Sequence, residues 1–321
     1  MPKTLMELKR KDILSLEELT LEEIKLILDQ AKFFKKLFHK PIKQTPALRG
    51  RTIVNLFFEP STRTRTSFEI AAKMLGAGAT NVAMAQSSLK KGETLIDTVK
   101  NIEAMGVDAF IIRHSQSGAP LLVSKNVDVP VINAGDGFHE HPTQGLLDIF
   151  TMIEARDNLK GKRVVIVGDI SHSRVARSNI WGLNKLGAKV IVVGPPYLIP
   201  KEIEKMDIEI SYDLKKVLPQ ADFINVLRIQ LERHEKEVIP SLREYIDFYG
   251  LTKEKVSLCK KDVVIMHPGP INRGIEITSE VADGPYNVIL RQVNNGVAVR
   301  MAILFLLMKF MSKHNKNNGK K

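Results

Sequence analysis

The sequence predicts an α/β protein of two similar-sized domains, each a parallel β-sheet flanked by helices. Three observations carry that expectation. Short β-branched runs repeatedly end in a polar loop that opens a helical segment, the pattern of successive βα units. The chain has 321 residues, about two domains at roughly 150 residues each. Its composition, 44% hydrophobic and 26% charged, is that of a folded globular protein and excludes a disordered or collagen-like chain.

The elements follow in order. Residues 16–37 set apolar side chains at helical spacing, and Thr20 with Glu23 forms a capping box, so a helix begins near Leu21. Strands are expected at 51–58, 79–85, 108–112, 129–133, 163–167 and 262–266, with two more at 189–193 and 221–226. The helix after Pro142 ends in charge, and a fresh βα series starts beyond it. The expected domains are therefore 1–150 and 151–294. A last helix over 295–311 carries the apolar stripe Val297, Ile303, Leu304, Leu307 and Met308, and is expected to pack back on the first domain. Residues 312–321 read as a disordered tail. The longest apolar run, 301–311, contains Lys309 and falls short of the ~20 residues that span a bilayer, so no membrane partner is expected. No internal repeat or heptad array is present, which removes solenoids and coiled coils.

The formal net charge is +12, and Lys313, Lys316, Lys320 and Lys321 of the tail supply part of it. Aromatic residues are only 6%, and no RNP-like, zinc-finger or helix-turn-helix pattern interleaves them with the charge. Small anionic substrates are expected rather than nucleic acid. The single cysteine, Cys259, excludes an internal disulfide and a multi-thiolate zinc site. With an N-terminus that has no apolar signal core, a reducing cytoplasm is the expected compartment.

Ligands of open parallel sheets bind beyond the carboxyl ends of the strands. Those positions hold Glu59 through Thr66 after the first strand, Gln86-Ser87-Ser88-Leu89-Lys90-Lys91 after the second and Arg113-His114 after the third. After the fourth comes a loop to His141-Pro142-Thr143-Gln144. The second half adds Arg174, then Arg228 and Gln230, then His267-Pro268-Gly269-Pro270. Ser61-Thr62-Arg63-Thr64-Arg65 is the sharpest of these. A strand-to-helix junction offers free backbone N–H groups and a helix dipole to an anion, and hydroxyls and guanidinium groups add charge-assisted donors. The plain alternative is a serine N-cap with surface arginines. No P-loop is present, and Val167-Gly168-Asp169 has only one of the glycines of a dinucleotide fingerprint, so no nucleotide cofactor is expected.

The run Phe57 to Glu69, with Pro60-Ser61-Thr62-Arg63-Thr64-Arg65-Thr66 at its centre, resembles the carbamoyl phosphate signature of the carbamoyltransferases. His141-Pro142-Thr143-Gln144 is similar to their second signature. The resemblance covers the chain except its tail. Ser87, Lys90 to Thr94, Arg113-His114, Arg174, Arg228, Gln230 and His267 to Pro270 fit the aspartate branch. It implies an active site in the cleft between the two domains, with no cofactor and no metal. Ser61, Thr62, Arg63, Thr64 and Arg113 would hold phosphate, and Gln144 the carbamoyl amino group. Thr64, Arg113 and His141 would face the carbonyl oxygen, and Arg63 would stabilise the leaving group. Those four, Arg63, Thr64, Arg113 and His141, are the expected catalytic residues. Lys91, Arg174, Arg228, Gln230 and the backbone at Pro268 and Gly269 would bind aspartate. Arg174, Arg228 and Gln230 suit two carboxylates, whereas ornithine would bring an ammonium that needs an acid. Gly269 also reads simply as part of a tight turn. Ser87 and Lys91 would come from the neighbouring subunit of a homotrimer with shared active sites; from composition alone Lys90 and Lys91 are solvated loop charges. Residues 231–238 resemble a loop that closes over aspartate. Family members also assemble with regulatory chains or with dihydroorotase, and the sequence leaves that open.

Three alternatives stand beside this reading. One is ornithine transfer, although that branch tends to carry His-Cys-Leu-Pro at 267–270. Another is a metal-dependent amidohydrolase with His139 and His141 as a His-x-His ligand pair, which needs an eightfold βα barrel. The third is a basic nucleic-acid-binding protein resting on the net charge. Trp181 and Cys259 are assigned to a helix face and a buried or partly buried thiol.

Overall fold

The computed structural model describes residues 7–83, 93–229 and 241–318. The chain divides into two compact units, Met1–Leu146 with Asn294–Lys321, and Leu147–Val293.

The first unit holds the strands β1 (Thr52–Phe57), β2 (Gly78–Ala83), β3 (Ala109–His114) and β4 (Val131–Asp136). Its helices are α1 (Leu21–Lys35), α2 (Thr62–Met74), α3 (Leu95–Glu103) and α4 (Ala119–Ser124), and α5 (Pro142–Arg156) begins in it. All strands are parallel, in the order β2-β1-β3-β4. Parallel strands are covered on both faces, which is why β1 and β3 read as nearly continuous apolar runs. Phe110, Ile112, Val54, Leu56 and Val131 form the core of this layer. The α1 capping box is present in full: Thr20 Oγ1 accepts from Glu23 N–H, and Glu23 Oε2 accepts from Thr20 N–H. Ahead of α1, Ile13 bridges to Ile132 along the β4 edge.

The second unit holds β5 (Arg163–Val167), β6 (Lys189–Val193), β7 (Glu209–Ser211), β8 (Phe223–Val226) and β9 (Val264–Met266), parallel in the order β7-β6-β5-β8-β9. Its helices are α6 (Arg174–Lys185), α7 (Leu214–Val217), α8 (Leu242–Tyr249), α9 (Lys253–Val256) and α10 (Ser279–Ala282). Val165, Val167, Ile191, Val193, Ile224 and Ile265 fill its core, with Cys259 partly buried against it. Burial pushes the Cys259 thiol up to about 11. Lys255 is buried and donates to Ile246 O, Asp247 O and Gly250 O, satisfying carbonyls that the end of α8 leaves open.

Two expectations change. The last helix, α11 (Ile289–Asn318), is longer than the apolar stripe suggested, and the tail expected to be disordered continues it to Asn318. Polar side chains support the extension: Ser312 Oγ donates to Met308 O, Lys313 pairs with Glu7, and His314 lies 3.9 Å from the Phe310 ring. By length and composition alone the stretch Ile289–His314 could cross a bilayer, but 67% of its most apolar window is buried inside the protein. It serves as a core helix: Arg300 donates to Ser67 Oγ of α2 at 2.8 Å and lies over the Phe68 ring.

Phe110 is completely buried on β3. Phe110→Ala is expected to lower the unfolding free energy of the unit by about 3 to 5 kcal/mol, read from urea denaturation.

Candidate active site

In the first sheet the chain leaves β1 to form β2 on one side and then places β3 on the other. The carboxyl ends of β1 and β3 thus meet at a switch in winding direction, where neither crossover covers them. The chain there carries Ser61 to Arg65 on one side and Arg113 on the other. Phe57 lies opposite Arg113, and Phe58 N–H donates to Arg113 O at 2.9 Å. Ser61 occupies the N-cap of α2, yet its side chain makes no capping bond, and no acid lies in the first turn. A polar side chain that withholds itself from its own helix leaves that terminus open to an anion. Arg63 is exposed, and Thr64 is buried on the same turn.

Acids hold the cationic and imidazole groups of this edge. Glu59 Oε2 lies 3.4 Å from Arg113 Nε, and Arg113 Nη1 donates to Ala134 O at 3.3 Å. Asp136 accepts from Gly118 N–H, Asn133 Nδ2 and Glu140 N–H, and pairs with His139 Nδ1 at 3.1 Å. Burial alone would raise Asp136, but the bonds from His139, Gly118 and Asn133 outweigh it and hold its carboxyl below the ordinary range. The same contact raises His139 above its ordinary value against the opposing effect of burial. Glu140, fully buried, accepts from the N–H groups of Leu16 and Glu17. That framework presents buried His141, whose carbonyl accepts from Gln144 N–H and Gly145 N–H as α5 opens. His114 accepts through Nδ1 from Gln116 N–H and packs at a tilt against Phe58, ring centroids 4.9 Å apart; burial lowers its proton affinity, opposed by the charges of Glu59 and Asp136.

The second sheet repeats the arrangement. From β5 the chain goes to β6 and β7 on one side and then to β8 on the other, so the ends of β5 and β8 form its switch point. Leu227 N–H donates to Val167 O at 2.8 Å across that junction. Gly168 sits there with φ +131°, and a Cβ would lie 3.1 Å from Leu227 O, so only glycine lets the strands pass this closely. Arg174 begins α6 behind the N-cap of Ser173, buried to 4% exposure, and Arg228 follows β8. Pro268 and Gly269 follow β9, and Asn272 Nδ2 donates to Ile229 O at 3.0 Å, tying the β9 loop to the β8 loop. Asp169 accepts from His172 through both its ring Nδ1 and its backbone N–H.

Within the first unit, Ser61, Thr62, Arg63 and Thr64 follow β1, Arg113 lies in the last two residues of β3, and His141 and Gln144 follow β4. Arg174, Arg228, Pro268 and Gly269 follow strand ends within the second. Ser87, Lys90, Lys91, Gln230 and the loop 231–238 lie outside the described residues. Sequence reasoning passed over the orienting acids Asp136, Glu140 and Asp169, and Glu276, whose Oε1 lies 3.1 Å from His267 Nε2. Position next to a histidine was the one available signal for Glu140. The His-x-His reading fails on topology, because two open sheets replace the eightfold barrel it required. Glu17, His139 and Glu140 bring potential ligand atoms within 4.8 Å of one another, but Glu140 and His139 Nδ1 are engaged with backbone amides and Asp136.

Comparison with known proteins defines the class. Residues 11–154 match the aspartate/ornithine carbamoyltransferase carbamoyl-P binding domain, and residues 160–307 the Asp/Orn binding domain of the same family. The chain belongs to the aspartate/ornithine carbamoyltransferase family. It is 57% identical to the aspartate carbamoyltransferase catalytic subunit of Syntrophobacter fumaroxidans over 94% of this chain and 99% of that one. It is 54% identical to the catalytic subunit of Moorella thermoacetica, over 94% and 99%. Among solved structures, aspartate transcarbamoylase from Trypanosoma cruzi in complex with carbamoyl phosphate gives a TM-score of 0.84 at 28% identity, covering 92% of this chain and 95% of that one. Ornithine carbamoyltransferase from Pyrococcus furiosus gives 0.82 at 33% identity, covering 92% and 96%.

Asp136→Asn is expected to bring the titration midpoint of His139 down toward its ordinary 6.5, followed by proton NMR. In the native protein the His139 proton is held more tightly folded than unfolded. Its stabilisation is therefore complete below about 6.5 and lost as pH rises through the raised folded-state value, a loss that the variant should not show.

Proposed function

We infer that this chain transfers the carbamoyl group of carbamoyl phosphate to the amino group of L-aspartate, giving N-carbamoyl-L-aspartate and phosphate, an early step of de novo pyrimidine synthesis. One observation carries the inference. Ser61, Thr62, Arg63 and Thr64 open the helix that follows β1, and Arg113 lies near the end of the adjoining β3, in a chain 57% identical to a relative bearing that activity in its name.

The chemistry follows from charge. The neutral amine attacks the carbonyl carbon, a C–N bond forms, and the C–O bond to phosphate breaks. Negative charge grows on the carbonyl oxygen and then on the departing phosphate, which takes up the proton that the nitrogen releases. Fixed donors aimed at those two places lower the barrier. In our reading Thr64, Arg113 and His141 serve the carbonyl oxygen, Gln144 the carbamoyl amino group, and Ser61, Thr62, Arg63, Thr64 and Arg113 the phosphate. Arg63 is assigned to the leaving group, because a guanidinium keeps its proton and its fork matches phosphate oxygens. No enzyme nucleophile or cofactor enters the scheme. The carboxylates of aspartate are assigned to Lys91, Arg174, Arg228 and Gln230, and its amine to the carbonyls of Pro268 and Gly269. The reading gives residues 1–150, with 295–311, to carbamoyl phosphate and 151–294 to aspartate, which the two family domains support. A cytoplasmic homotrimer, with Ser87 and Lys91 entering the neighbouring subunit's site, belongs to the same proposal.

The purified protein, offered carbamoyl phosphate with L-aspartate or L-ornithine, is expected to release phosphate with aspartate. Preference for ornithine overturns the substrate, and a requirement for added zinc overturns the reaction class. Arg63→Ala should lower kcat by about 10²- to 10³-fold while changing the KM for carbamoyl phosphate far less, as steady-state kinetics would register.

A further inference from the structure

A buried carboxylate outside the predicted site organises the loop assigned to the aspartate amine. Glu276 is 0% exposed, and its Oε1 accepts from Asn272 N–H at 2.6 Å and lies 3.1 Å from His267 Nε2. His267, itself buried, accepts through Nδ1 from Gly269 N–H at 2.8 Å. A backbone amide only donates, so Nδ1 carries no proton, and the ring's proton sits on Nε2 facing Glu276. His267 N–H donates to Gln292 Oε1 at 3.0 Å, and Gln292 Nε2 donates to Asp148 Oδ1 at 2.8 Å. The segment 267–272 is thus held at three backbone amides, two of them governed by Glu276. Through Asn272, whose side chain reaches Ile229 O, the same carboxylate bears on the loop that carries Arg228. Gly269 takes φ +67°, so this peptide stands in a left-handed conformation that the surrounding bonds must define.

We propose that Glu276 is a positioning residue for carbamoyl transfer, acting through His267 on Gly269 and through Asn272 on the Arg228 loop to fix the carbonyls of Pro268 and Gly269. The proposal rests on the aspartate reading given above. It makes no demand on charge at the second carboxylate oxygen, because Oε2 accepts no hydrogen bond among the described residues. A glutamine, whose amide oxygen can take both N–H groups, should therefore serve, and a leucine of similar bulk should not.

The test is steady-state kinetics on the full-length protein. Glu276→Leu is expected to lower kcat and raise the KM for aspartate, together costing about 10- to 100-fold in kcat/KM. Binding of inorganic phosphate, which reports the other unit, should stay within about twofold, and Glu276→Gln should recover most of the loss. A folded Glu276→Leu protein with native kinetics overturns the proposal, as does equal loss in Glu276→Gln. If the leucine variant fails to fold, the wild type still decides. A ¹⁵N imidazole correlation spectrum, with His267 assigned by its disappearance in His267→Asn, should show Nε2 protonated and Nδ1 bare, and any other protonation pattern overturns the chain of contacts. A wild-type protein that does not carbamoylate aspartate refutes the functional reading instead, and the ring spectrum then judges Glu276 separately.

Discussion

Both sheets obey one constraint of parallel β-structure: where successive crossovers leave a central strand in opposite directions, its carboxyl end is covered by neither. Backbone N–H groups there have no ladder partner, and the helix that follows adds unsatisfied amides of its own. Such a place attracts anions before any side chain is chosen. In the first unit the sequence adds hydroxyls and guanidinium groups to that bias, and Ser61 leaves its helix uncapped by its side chain. In the second unit the corresponding places carry Arg174 and Arg228.

Collecting cations and imidazoles in half-buried positions costs stability unless acids oppose them. Each cluster meets that need with a carboxylate that also accepts backbone amides. Asp136 accepts from Gly118 and Glu140 while holding His139, and Glu276 accepts from Asn272 while facing His267. An acid tied to the backbone in this way cannot drift with its partner, so the orientation of the ring is inherited from the fold. Glu59, in the same loop as Ser61, tethers Arg113 across the strand boundary.

How much could be read from the sequence depended on whether the cause was local. The strand β5 falls on the residues expected for it, because five consecutive residues of β-branched or long side chains suffice to mark a buried parallel strand. Likewise, Thr20 and Glu23 are three residues apart and cap one another. Donors that follow strand ends were legible because the chain itself carries them to one edge. β7 was not, since three partly exposed residues give no period to detect. β3 and β4 run past their expected ends, so that Arg113 and Asp136 lie on strands rather than in loops, because strand pairing continues through His114 and Asp136. The orienting acids were hidden for a related reason. The value of Glu276 depends on the direction of a histidine ring nine positions away and on an asparagine between them, and no pattern of residue types records a direction. The last turns of α11 were misjudged from polarity, whereas Lys313 and Ser312 find partners that composition does not show.

The half-buried Cys259 has a practical consequence. With a thiol pushed up to about 11, only about one molecule in 10⁴ exposes a thiolate there at neutral pH. No other cysteine occurs in the sequence. The native protein therefore presents maleimide and iodoacetamide reagents with an almost silent background. A cysteine introduced at an exposed position would outcompete it, so fluorophores or spin labels could be installed one per chain without first removing the natural thiol.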